Sequence, residues 1–173
     1  MNNRVAPVEK NQFFDFLISL GEKHAFTPGI LTSLTGLSFA DDPFPNKHFS
    51  VHHSLGNTAK EHPFIKKVEL RSPVEKENPG GLIILDLCNI SNITGKDVAK
   101  RFGEVSDLII PSPEQPEEAP VVLVYKYDWG ELRFGCLRNE SDSLVLVVLD
   151  AYESAAFKKY KKSNTPLEEY LNN

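Results

Sequence analysis

The densest group of chemistry-bearing side chains in this chain is His48, His52 and His53, with His62 a little further on. Imidazole ligates metals and moves protons near neutral pH, so such a group is the first place to look for a reaction. On a strand, His52 and His53 point to opposite faces and cannot chelate one ion together. His48 and His52 share a face and could bind a metal with a carboxylate from elsewhere, but the sequence identifies no third ligand. Asp41 and Asp42 offer paired carboxylates for a metal or for acid–base work, in a stretch that reads as an irregular loop. Solvated carboxylates and ordinary histidines are the expectation, with no metal and no cofactor.

Other chemistries fare no better. Nucleophilic catalysis needs Ser, Cys or Thr against a base and an oxyanion hole. The chain has no GxSxG elbow, although residues distant in sequence could still meet in space. Cys88 and Cys136 lie inside apolar runs without a CxxC or Cys/His cluster, which predicts buried free thiols. Gly80-Gly81 precedes a strand, where a phosphate loop would follow one, and lacks the Lys-Ser/Thr pair, so these are hairpin glycines. Asp86 and Glu131 could meet across a sheet as acid and base, yet strand carboxylates more often face solvent. No enzyme is expected; the alternative is a small metal- or ligand-binding enzyme using His48 and His52.

The chain has 173 residues, 40% apolar and 25% charged, ordinary values for a soluble domain with its own core. The net charge of -5 disfavours nucleic acid and anionic membranes and favours a basic partner. Lys158, Lys159, Lys161 and Lys162, interleaved with Phe157 and Tyr160, could contact RNA, but read better as a solvated basic helix or tail over 152–173. With no apolar leader and no run long enough to span a bilayer, a cytoplasmic location is expected.

The elements that must position any site follow from spacing. Phe13, Phe16, Leu17 and Leu20 share a helical face over 8–20, with Gly21 as the stop. Thr27 and Pro28 open a second helix that ends at Gly36, completing a helical N-terminal layer over 8–36. Residues 38–47 carry two prolines and read as a loop. Alternation predicts strands over 48–54 and 65–71, the latter with one slip, and the apolar run 82–88 reads as a central strand. Thr94, Asp97, Val98, Phe102 and Gly103 describe a capped amphipathic helix. A further strand is expected within 104–111, then the proline-stiffened acidic loop 111–120. Residues 121–127, 131–138 and 144–151 form a second meander. The expected fold is a single α+β domain over 1–173: a mainly antiparallel sheet of two meanders, packed by two or three short helices.

Residues 93–111, ITGKDVAKRFGEVSDLIIP, followed by 125–151, YKYDWGELRFGCLRNESDSLVLVVLDA, resemble a layout found among small bacterial immunity proteins that neutralise toxins passed between competing cells. A capped helix ending in Gly precedes a meander that here uses Tyr127, Gly130, Glu131, Leu132, Phe134 and residues 144–149. The resemblance covers the C-terminal third to half of the chain. It implies a cytoplasmic, non-enzymatic binder that occludes the active site of a cognate toxin. Independently, Glu114, Glu117 and Glu118 on a stiff loop would complement a basic surface. Tyr125, Tyr127, Asp128 and Trp129 are candidate contact residues if exposed. An adaptor within a larger assembly is a third possibility.

Overall fold

The computed structural model describes residues 7–23, 26–43, 49–56, 65–74, 80–88, 92–139, 141–153 and 157–159. Helix α1 (Pro7–Gly21) carries Phe13, Phe14, Leu17 and Leu20 inward, each at most 1% exposed, so these phenylalanines pack the core instead of waiting for a partner. In α2 (Pro28–Thr35), Thr27 has the extended backbone of an N-cap and Gly36 closes the helix in the left-handed region. α3 (Gly95–Phe102) has a complete capping box: Asp97 N–H donates to Thr94 Oγ1, and the Thr94 N–H donates to Asp97 Oδ2.

Among the described residues, eight strands form one open antiparallel sheet, and the fold is α+β. In chain order they are β1 (Ser38–Asp41), β2 (Phe49–Leu55), β3 (Ile65–Pro73), β4 (Leu82–Leu87), β5 (Asp107–Ile109), β6 (Val121–Tyr127), β7 (Gly130–Cys136) and β8 (Leu144–Asp150). Across the sheet the order is β1-β2-β3-β4-β8-β7-β6-β5. Both expected meanders are present, β2-β3-β4 and β6-β7-β8, and they join where β4 pairs with β8 through Ile83↔Leu149 and Leu85↔Val147. The slip in the β3 pattern is a register shift between Ile65 and Lys67.

The stretch 38–47 is a correction. Residues 38–41 are a strand, because the outer edge of β2 needs backbone partners and accepts Phe39↔Ser54 and Asp41↔His52, before the first proline at 43.

The three α-helices of the described residues lie on one face of the sheet, where α1, α2 and α3 bring Phe14, Leu31 and Val98 onto Ile83, Leu85, Leu132, Phe134, Val147 and Leu149. Phe14, Phe102, Tyr125 and Phe134 form an aromatic knot. Phe102 lies 4.9 Å from Phe134 and 5.3 Å from both Phe14 and Tyr125, tying α1 and α3 to β6 and β7. The opposite face is only half-buried at Leu82, Ile84 and Val148. It carries the Glu131–Arg133–Asp150 network, with Arg133 2.7 Å from Glu131 and 2.9 Å from Asp150.

Two close approaches pin the layers together. A Cβ on Gly21 would run into the indole of Trp129, so the last residue of α1 is glycine because the tryptophan occupies that space as well as because it ends a helix. Lys10 Nζ meets Asp97 Oδ2 at 2.8 Å and joins α1 to α3. Burial pushes the Asp97 carboxyl up, but the hydrogen bonds from Lys10 and Thr94 outweigh it and hold its pKa below the ordinary carboxylate value.

Two outcomes are expected. Gly21→Ala forces Trp129 to move and lowers unfolding stability by about 1–3 kcal/mol in a urea titration, although alanine is the better helix former. Because the Asp97 pKa is depressed on folding, its contribution is full above the ordinary carboxylate value and is lost as pH falls through the folded value. The stability gap between the native chain and Asp97→Asn should therefore narrow on acidification.

Candidate partner-binding surface

The acidic loop is exposed and ordered by its own bonds. Residues 112–118 are all exposed. Gln115 N–H donates to Ser112 O at 3.0 Å, Ala119 N–H to Pro116 O at 2.9 Å, and the Arg138 guanidinium reaches across to Pro116 O at 2.8 Å. Glu114, Glu117 and Glu118 thus project from a backbone that is already folded, which reduces the entropy lost on docking.

Immediately before the loop stands a feature that periodicity did not single out. Leu108, Ile109 and Ile110 are 44%, 49% and 65% exposed, three consecutive large aliphatics on and just beyond the outermost strand. β5 pairs with β6 through Leu108↔Leu123 and has no strand beyond it among the described residues. This edge is blunted against strand addition. It is three residues long, Asp107 Oδ1 takes the Leu108 N–H at 2.8 Å, and Pro111 has no N–H to offer. What remains is an apolar edge, with Leu108 and Ile109 exposed on opposite faces of the strand and Ile110 just beyond it. The sequence signal was the aliphatic run without alternation, directly before a proline.

Charge is concentrated on the same segment. Residues 104–119 hold Glu104, Asp107, Glu114, Glu117 and Glu118 and no Lys, Arg or His. The chain's net charge is -5, so the remainder balances at nineteen acidic against nineteen basic residues. All of the excess negative charge therefore sits on this one edge.

The other expected contact residues separate. Trp129 is 5% exposed and Tyr125 4%, so both serve the core. Trp129 stacks on Tyr127 with centroids 5.3 Å apart and rests on Gly21. The Tyr125 hydroxyl donates to Gly103 O at the end of α3, and burial raises its pKa. Tyr127 is half-buried, and Asp128 alone of the four is exposed. Nor does their turn lie beside the acidic loop. The loop enters β6 at Val121 and the turn leaves it after Tyr127, about 20 Å away at the usual rise per strand residue.

The remaining chemical candidates are also placed. His48 and His62 lie outside the described residues, and no group of three or more His, Cys, Asp or Glu is placed to hold a metal among those described. His52 and His53 do point to opposite faces. His52 Nδ1 lies 2.7 Å from Asp41 and His53 Nε2 lies 3.2 Å from Asp42, so the aspartate pair partners the histidine pair and is not loose in a loop. Asp86 and Glu131 do not meet: they face Leu146 and Asp150, four residues apart along β8. Burial pushes the Cys136 thiol up to about 12, which removes it as a nucleophile. Lys158 pairs with Glu153 at 2.9 Å; Lys161 and Lys162 lie outside the described residues. No described helix is long and apolar enough to cross a membrane.

No family model, no curated protein and no solved structure matches this chain.

A division between fold and surface residues follows. Trp129→Ala should cost about 3–5 kcal/mol of stability by chemical denaturation. Replacing Glu114, Glu117 and Glu118 together by glutamine should leave the unfolding free energy within roughly 0.5 kcal/mol per site.

Proposed function

We propose that this chain is an immunity protein, a cytoplasmic binder that neutralises a basic toxin by seating the β5 edge and the acidic loop over its active site or substrate cleft. The observation that carries this reading is the placement of the whole net negative charge on residues 104–119, beside three exposed aliphatics. An apolar centre rimmed by like charges is how a specific interface divides its tasks. Burial of Leu108, Ile109 and Ile110 supplies affinity, while the carboxylates steer a basic partner and reject acidic ones. The pre-ordered loop adds rigidity to that rim. The immunity-like layout of the C-terminal half supports the same assignment.

The test is titration calorimetry against the product of the gene immediately upstream, combined with co-expression. The expected result is a tight one-to-one complex, protection of the host, and affinity that falls as salt rises. Ile109→Ser with Ile110→Ser should weaken binding at least tenfold, equivalent to about 1.4 kcal/mol. Glu114→Lys with Glu117→Lys should chiefly slow association. Absence of both binding and protection would remove the proposal.

A further inference from the structure

At the opposite edge of the sheet, three strands bring together residues that the sequence scatters. Asp41 on β1, His52 on β2 and Ser72 on β3 lie on the helix-bearing face. His52 Nδ1 is 2.7 Å from Asp41 Oδ1, and His52 Nε2 is 2.9 Å from Ser72 Oγ. An ionised carboxylate can only accept a hydrogen bond, so Asp41 keeps the imidazole proton on Nδ1 and leaves the Nε2 lone pair to accept the Ser72 hydroxyl. This is the connectivity by which a carboxylate orients a histidine base and the base activates a serine. His52 and Ser72 are 8% and 7% exposed, and both line a cavity of about 470 Å³ with Ser50. Phe26, Pro28, Pro73 and Val74 supply its apolar walls. The size and lining suit a small ligand.

The cavity also receives the first turn of α2. Thr27, Pro28 and Gly29 line it, and a Cβ at Gly29 would meet nothing within 4 Å, so the backbone there opens onto free space. Pro28 has no N–H and the Ile30 N–H donates to Thr27 Oγ1 at 3.4 Å, so the first-turn donor at this positive helix end that can stabilise a developing oxyanion is the Gly29 N–H.

We propose that Ser72 is a nucleophile for acyl transfer from small apolar esters, with His52 as its general base and Asp41 as a positioning residue. Ser72 Oγ bonds to the ester carbonyl carbon while His52 Nε2 takes the hydroxyl proton. The carbon–alkoxide bond then breaks, and His52 returns the proton to the leaving alcohol. Water attacks the acyl-Ser72 ester by the same route, releasing the acid and restoring the serine. The Asp41 side chain is 87% exposed, so water competes for the imidazole and its orienting effect is weaker than that of a buried carboxylate.

The experiment treats the full chain with a fluorophosphonate, which forms a Ser–O–P bond with loss of fluoride and passes the serine proton to His52. Mass spectrometry locates the adduct, and p-nitrophenyl acetate reports turnover. One adduct at Ser72 is expected, absent in Ser72→Ala, slowed about a hundredfold in His52→Ala and about tenfold in Asp41→Asn. No adduct, an adduct at another residue, or labelling unaffected by His52→Ala would overturn the proposal. Mapping on the unmodified chain decides the question even where a variant fails to fold. Ile109→Ser with Ile110→Ser should label normally, which separates this outcome from that of the partner-binding reading.

Discussion

The β4–β8 ladder is the contact on which the rest of the architecture depends. Each meander could form a small sheet alone, but an isolated three-stranded sheet gives its helices a narrow surface to cover. Pairing Ile83 with Leu149 and Leu85 with Val147 places four aliphatics side by side at the middle of an eight-stranded sheet. These residues are completely buried under the helical layer. Residues far apart in sequence must meet to make this pair, so the ladder carries much of the chain-entropy cost of folding and then supports every later contact.

One consequence is that the two outer strands are chemically unlike. β1 covers the free edge of β2 and presents Asp41 to His52, turning an edge into a polar relay beside a cavity. β5 covers β6 for only three residues and leaves Leu108 and Ile109 exposed on its two faces, directly before the acidic loop in the chain. The two outer strands stand seven strand intervals apart, about 34 Å at ordinary strand spacing. At that separation, substitutions at the two edges should act independently.

Local chemistry was legible in the sequence wherever the cause was local. Thr27, Thr94, Gly36 and Gly103 mark helix ends because capping is decided within four residues. The β3 slip appeared as a fault in alternation and is a register shift. Long-range causes were not legible. β1 looked like loop because its pairing need belongs to β2, whose partner residues stand eleven to seventeen positions downstream, from Asp41↔His52 to Ser38↔Leu55. Trp129 sits on a two-residue turn, the usual place for an exposed side chain, yet it folds back onto Gly21 from another layer. The Asp41–His52–Ser72 relay needed strand order and register together, neither of which a single sequence declares. Charge was the exception: the acidic segment could be counted in the sequence, and the structure adds the aliphatics beside it.

On the proposed reading, recognition falls to the β5 edge and its acidic loop. Phe13, Phe14, Tyr125 and Trp129 are all consumed in packing, so the anchors that this edge would offer are aliphatic and acidic. Such an interface depends strongly on complementarity of charge and less on large aromatic hot spots. The most direct measurement is hydrogen–deuterium exchange on the chain alone and in complex with the upstream gene product. The account predicts new protection confined to residues 104–119, with the amides of β2 and β3 unchanged. Protection centred on β1, β2 or the half-buried sheet face, with 104–119 exchanging as in the free chain, would contradict it.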